Sequence, residues 1–175
     1  MKRRIACIIL AMGCLGVAGS ALAQGFAAGR AARENAAGGI TAGAGRAVRG
    51  PNGGGAVQGR AMVGDGQGNA AGASGGAFQG PNGASGARAG RWSRGADGSA
   101  SREGGAAASG ARGSAATTGS TTRNADGSVD GQRNTTATAN SGASYQGETS
   151  YGSGSGVSHS GTCTDSSGNV VDCPR

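Results

Sequence analysis

The residue types that could do covalent chemistry gather near the C-terminus of the 175-residue chain. His159, Ser160 and Asp165 are types used in nucleophilic catalysis, but they share one Gly/Ser-rich stretch that offers nothing to hold catalytic geometry. A metal site usually needs four ligands, and His159 is the only histidine. The glycine-rich stretches lack the strand and helix that frame a phosphate-binding loop. We therefore predict a protein that is not an enzyme and that uses no metal, cofactor or small-molecule substrate.

The segment Met1–Ala23 has the pattern of an export signal. Basic residues at positions 2–4 precede an apolar run that ends near position 19, and Ala21-Leu22-Ala23 forms a cleavage site before Gln24. The run is shorter than the ~20 residues that a membrane anchor needs, and the residues before Cys14 fit a lipoprotein signal poorly. We expect cleavage between Ala23 and Gln24, no stable membrane insertion afterwards, and a location in the periplasm or outside the cell.

Two cysteines, Cys163 and Cys173, follow the leader. They flank Ser166 to Asn169, which are turn-forming residues, and Val170-Val171, which favours a strand. An even number of cysteines in an exported chain favours a disulfide over a metal site or a redox pair. The pattern predicts a bridged β-hairpin over residues 161–175, with Gly168 at a positive-φ position and a stabilisation of about 3 kcal/mol.

The same tail, with Gly156-Val157-Ser158-His159-Ser160-Gly161 before it, resembles the ends of small secreted glycine-rich proteins of Gram-negative bacteria. The resemblance covers only this tail and a shared composition upstream. It implies export and a disulfide, and it implies no activity.

Composition argues against a conventional hydrophobic core. Glycine supplies 40 residues and aromatic residues only 3% of the chain, and 14 large apolar residues remain among the 152 that follow Ala23. A folded domain of this length normally buries several times as many. We therefore predict a mostly disordered, low-complexity chain with the bridged hairpin at its end. Its regions are a Gly/Ala/Arg-rich segment at 24–112, a Ser/Thr/Asn/Gly-rich segment at 113–160, and the hairpin.

Repeated turn sequences support an ordered alternative. The sequence Gly-Pro-Asn-Gly at 50–53 recurs at 80–83, and the pattern Arg-x-Ala-Asp-Gly-Ser at 94–99 recurs at 123–128. Asn-Gly or Asp-Gly pairs begin at 52, 65, 82, 97 and 126, and such pairs accept the positive φ of tight turns. Short β-hairpins or an irregular β-solenoid could result, with a polar hairpin across residues 117–139. Residues 24–49 favour one or two loose helical turns instead, because they are rich in Ala and Arg.

Arginine is the main candidate for binding. Residues 24–112 contain ten Arg against four acidic residues, while 113–175 contain three Arg against five. Arg-Gly pairs in the front half resemble the disordered arginine-glycine segments of nucleic-acid-binding proteins. Around Trp92 the pairs suggest contacts to extracellular DNA, lipopolysaccharide or acidic polysaccharide, through Arg88, Arg91, Trp92, Arg94 and Arg102.

Three functions are compatible with these features. The first is an exported cell-envelope or extracellular-matrix protein that acts through weak multivalent contacts, including self-association. The second is a polyanion-binding module that uses the Arg-Gly segments, and the third is a secreted glycine-rich antimicrobial polypeptide. The chain lacks the amphipathic stripe that the third would need.

Overall fold

The computed structural model describes residues 25–173, and these form one antiparallel β-sheet. Its 11 strands lie side by side in chain order. The strands are β1 (Gly25–Glu34), β2 (Ile40–Arg49), β3 (Gly55–Gly64), β4 (Ala70–Gln79), β5 (Ser85–Arg94), β6 (Ala100–Gly110), β7 (Gly113–Arg123), β8 (Val129–Ala139), β9 (Ser144–Gly152), β10 (Gly156–Thr164) and β11 (Val170–Val171). The predicted export signal over residues 1–23, its expected cleavage site between Ala23 and Gln24, and residues 174–175 lie outside the described residues.

One turn type joins most of these strands. In each case the first of five residues donates its N–H to the carbonyl of the fifth, and the fourth is a glycine with positive φ. These turns span residues 35–39, 50–54, 65–69, 80–84, 95–99, 124–128, 139–143 and 165–169. The predicted positive-φ glycines after Asn52, Asp65, Asn82, Asp97 and Asp126 are all confirmed.

The repeat of the turn sequences arises because the repeating unit is one β-hairpin with its two turns. Strands β1 to β6 begin at positions 25, 40, 55, 70, 85 and 100, so their spacing is constant and equivalent turns recur on the same side of the sheet at every second strand. Side chains tie these turns together: Asn35 Nδ2 donates to the Gly64 carbonyl at 2.8 Å, and Asn140 Nδ2 donates to the Ala111 carbonyl at 2.7 Å. The repeat therefore reflects an antiparallel β-meander, and the alternative of a β-solenoid is wrong.

The prediction of a mostly disordered, low-complexity chain is wrong. Every strand pairs with its neighbour over most of its length, and the segment expected to contain helical turns forms β1 and β2. The sequence argument required a buried core, yet within residues 25–173 the only buried apolar side chain is Cys163, at 8% exposure. Order comes instead from the backbone ladders. Each ladder is closed by a short local turn, and the entropy lost on closing short loops is small.

Composition changes along the chain do not interrupt the sheet. The boundary at 112/113 falls in the short turn between β6 and β7, and the boundary at 160/161 falls inside β10. The predicted polar hairpin across 117–139 is confirmed as β7 and β8. Among residues 25–173 there is no helix long and apolar enough to cross a membrane.

The C-terminal hairpin has the predicted form. Cys163 and Cys173 are bridged, with 5.3 Å between their Cα atoms, and Gly168 has a φ of 85°. Strand β11 is short, since it pairs only Val170 and Val171 with the end of β10. The bridge therefore holds a small lobe against the last full strand of the sheet.

Candidate polyanion-binding face

The register of the sheet sorts the arginines onto one face. Successive side chains of a strand point to opposite faces, and residues paired across strands share a face. Following the pairs from β1 to β10 assigns each strand residue to a side. One side, here called the arginine face, carries eight arginines and a single acidic residue, Glu34. The arginines are Arg30, Arg46, Arg60, Arg88, Arg94, Arg102, Arg123 and Arg133.

The other side, here called the mixed-charge face, has balanced charges. Its strand residues include three arginines and three acidic residues: Arg33, Arg49, Arg91, Glu103, Asp130 and Glu148. Arg91 forms an ion pair with Glu103 across β5 and β6. The hydrogen bond between Ser93 and Ser101, 2.8 Å long, joins the same strands on the same face. Positive charge is thus concentrated on one side of the sheet although the sequence intersperses it.

Five of the eight arginines occupy the middle of their strands. Arg30, Arg60 and Arg133 lie in one row of laterally paired residues, and Arg46 and Arg88 lie in the row beside it. These two rows, called the central rows, run across the strands from β1 to β8. Neighbouring strands are about 4.8 Å apart, so the arginines extend over about 34 Å.

Small residues separate the arginines of the central rows. Ser74, Gly76, Gly90 and Gly104 are among them, and they leave open space between the arginines. The arginines line an open depression of about 1310 Å³. All eight arginines of the face are exposed, and within residues 25–173 none of them forms a salt bridge. A long, open row of cations without acidic partners suits a polymer better than an enclosed small molecule.

Aromatic side chains flank the central rows on the same face. Trp92 lies opposite Gly72, and a methyl group placed on Gly72 would come within 2.6 Å of Trp92 Nε1. Phe78 lies opposite Gly86 in the same manner, because a methyl group there would come within 2.5 Å of Phe78 Cε1. Each ring therefore occupies the space that its glycine partner leaves free.

Tyr151 shows the same arrangement with a further contact. Its ring covers Gly131 on β8, and its hydroxyl group hydrogen-bonds to Thr121 on β7. The side chain therefore lies across the neighbouring strand instead of standing upright from the sheet.

Near the other end of β9, the ring of Tyr145 covers Gly147 and Gly161. Its hydroxyl oxygen lies 3.4 Å from His159 Nε2, and His159 Nδ1 lies 2.8 Å from Thr149 Oγ1. This polar cluster continues the row of Arg133 towards the edge of the sheet.

Aspartates of the turns form a separate group at the ends of the strands. The side-chain amide of Asn69 holds the pKa of Asp65 below its ordinary value, and Asn169 does the same for Asp165. The hydroxyl groups of Ser99 and Ser128 lower the pKa values of Asp97 and Asp126 in the same way. Backbone N–H donors add to each effect, because hydrogen bonds to the ionised form favour it. At neutral pH these carboxylates are therefore ionised, and each accepts hydrogen bonds within its own turn.

The residues proposed from the sequence as polyanion contacts divide between the two faces. Arg88, Trp92, Arg94 and Arg102 lie on the arginine face, while Arg91 lies on the mixed-charge face beside Glu103. The contacts named from the sequence leave out five members of the arginine face, of which three belong to the Arg-Gly pairs of the front half and two do not: Arg30, Arg46, Arg60, Arg123 and Arg133. A signal was available in the residue numbers. Successive strand residues alternate between two faces, and six arginines of this face have even numbers: Arg30, Arg46, Arg60, Arg88, Arg94 and Arg102.

The residue types considered for catalysis are not brought together. His159 lies on the arginine face, and its neighbour Ser160 points to the mixed-charge face. Asp165 accepts hydrogen bonds from Ser167 and Asn169 within its own turn. Among residues 25–173 no group of three or more His, Cys, Asp and Glu side chains is placed to hold a metal ion. No protein-family model, curated protein or solved structure matches this chain.

Proposed function

We propose that this chain is an exported, non-enzymatic protein of the cell envelope or extracellular matrix that binds polyanionic polymers through its arginine face. The observation that carries the proposal is the separation of charge between the two sides of the sheet. The arginine face has eight arginines and one acidic residue, whereas the mixed-charge face has three arginines and three acidic residues. The leader pattern and the Cys163–Cys173 bridge support export.

Binding would be multivalent and sensitive to salt. Each guanidinium group can donate two parallel hydrogen bonds to a phosphate, sulfate or carboxylate group. Exposed single pairs contribute little, so affinity depends on several arginines meeting one polymer. Each contact with a phosphate chain releases condensed counterions. For single-stranded nucleic acid, the slope of the logarithm of the binding constant against the logarithm of the salt concentration is about −0.7 per contact. Eight contacts would give a slope of about −5.6.

Two triple variants test the proposal with matched changes of charge. Arg46→Gln, Arg60→Gln and Arg88→Gln remove three cations from the arginine face, and Arg33→Gln, Arg49→Gln and Arg91→Gln remove three from the mixed-charge face. Binding of inorganic polyphosphate is measured between about 50 and about 200 mM salt. We expect the first variant to reduce the slope to about −3.5, so that affinity falls only about 100-fold over this range instead of about 2000-fold. The second variant should retain the slope of the wild type.

Equal losses in the two variants would contradict the proposal, because binding would then follow net charge alone. Wild-type binding that does not depend on salt would contradict it as well.

A further inference from the structure

Four of the five aromatic rings on the arginine face have one side against the sheet and the other side open. The rings of Phe78, Trp92, Tyr145 and Tyr151 each cover a glycine, so no Cβ atom lifts them away from the backbone. Trp92 remains 38% exposed and Phe78 49% exposed. Covering a glycine with an aromatic ring stabilises a sheet by itself. Here it also leaves flat, accessible π-surfaces beside a band of cations.

The rings lie on both sides of the central rows. Phe26, Phe78 and Tyr145 belong to one flanking row, and Trp92 and Tyr151 belong to the other. Each flanking row is two residues along the strand from the nearest central row, which is about 7 Å. That distance is comparable to the distance between a phosphate and the base of the same nucleotide. Cations in the middle and π-surfaces at the sides thus match a chain whose charged backbone carries planar rings.

We infer that the arginine face binds single-stranded nucleic acid, with phosphates on the central rows and unpaired bases stacked on Trp92, Phe78 and Tyr151. This inference rests on the proposed polyanion binding and names its ligand class. A β-sheet that presents aromatic platforms beside basic residues is a general solution for binding single strands, because every base has a π-face. In a duplex the bases are already stacked on one another. Acidic polysaccharides carry charge but no planar aromatic ring.

The test compares a polyanion that carries planar bases with one that carries none. Thymidine oligonucleotides and inorganic polyphosphate are matched in number of phosphates and titrated into the full mature protein. Trp92 is the only tryptophan, so its fluorescence reports on the flanking row directly. We expect the oligonucleotide to bind more tightly and to quench Trp92, and polyphosphate to leave the fluorescence unchanged.

Substitutions separate stacking from charge. Trp92→Leu should weaken oligonucleotide binding about 5- to 140-fold, which corresponds to the loss of one stacked base, and should leave polyphosphate binding unchanged. Trp92→Phe retains a ring above Gly72 and should recover most of the affinity. Tyr151→Phe loses the hydrogen bond to Thr121 but keeps the platform, so oligonucleotide binding should persist.

Three results would overturn the inference while leaving the proposed function intact. The first is that the oligonucleotide and polyphosphate bind with equal affinity and neither quenches Trp92. The second is that Trp92→Leu weakens the binding of both by the same factor. The third is that an acidic polysaccharide binds more tightly than the oligonucleotide and quenches Trp92. If neither oligonucleotide nor polyphosphate binds in a salt-dependent manner, the proposed function fails and the inference fails with it.

Discussion

Reduction of the Cys163–Cys173 bridge should open the C-terminal lobe and leave the rest of the sheet unchanged. Strand β11 contributes only two register pairs, Cys163 with Val171 and Thr164 with Val170. Strand β10 keeps nine register pairs with β9 whether or not the bridge is present. In the loop-entropy model, a bridge that closes a loop of about 11 residues stabilises it by about 3 kcal/mol. Two register pairs and one turn are too few to offset that loss, since even a whole isolated hairpin is marginally stable in water.

Hydrogen exchange measured by mass spectrometry, with and without reductant, tests this expectation. A loss of about 3 kcal/mol corresponds to a decrease of about 100-fold in amide protection, and it should be confined to residues 165–173. The variant Cys173→Ala should reproduce the effect without reductant, because it breaks the bridge and leaves the buried Cys163 in place. A loss of protection that spreads into β9 would refute the reasoning, because the bridge would then support the ladder and not only the lobe. Unchanged protection at 165–173 would also refute it.

Four further predictions concern the turns, strand β1 and the predicted leader. In the turn aspartates the folded pKa lies below the ordinary value of 3.8, so their contribution to stability is present above that pH and is lost as the pH falls through the folded pKa. The melting temperature should therefore drop below about pH 4, and it should drop less in a variant with Asp97→Asn and Asp126→Asn than in the Asp130→Asn control. Gly83→Ala should destabilise the fold by about 1–2 kcal/mol in chemical denaturation, because φ is 75° there. Gly29→Ala should be neutral or slightly stabilising, since its added methyl group meets no atom within 4 Å and no positive φ is involved. Mass spectrometry of the exported protein should place the N-terminus at Gln24, and a lipid on Cys14 would contradict the predicted cleavage.

Features set by local chemistry could be predicted from the sequence. Asn-Gly and Asp-Gly pairs mark tight turns because few other residues accept a positive φ, and Gly53, Gly83, Gly98 and Gly127 take that conformation. The pairing of Cys163 with Cys173 follows from their number and from the turn between them. These predictions need only a few neighbouring residues, so the absence of a hydrophobic core did not affect them.

Order itself could not be predicted by the same reasoning. A count of large apolar side chains measures the capacity to form a buried core, and within residues 25–173 Cys163 is the only buried apolar side chain. The sheet depends instead on cooperative pairing of many strands of nearly equal length. Cooperative pairing is a property of the whole sheet, so it cannot be predicted from any single segment.

The face on which each arginine lies follows from strand register, which the tertiary structure sets. The five-residue turns pair residues whose numbers have an even sum, so all even-numbered strand residues share one face from β1 to β6. The shorter turn at 111–112 pairs residues with an odd sum, and the arginine face continues on odd numbers at Arg123 and Arg133. Where the chain turns and which cysteines pair can be read from the sequence alone, because backbone conformation and covalent chemistry are local. Which side chains share a surface depends on register, and a change of one residue in a turn moves every following side chain to the opposite face.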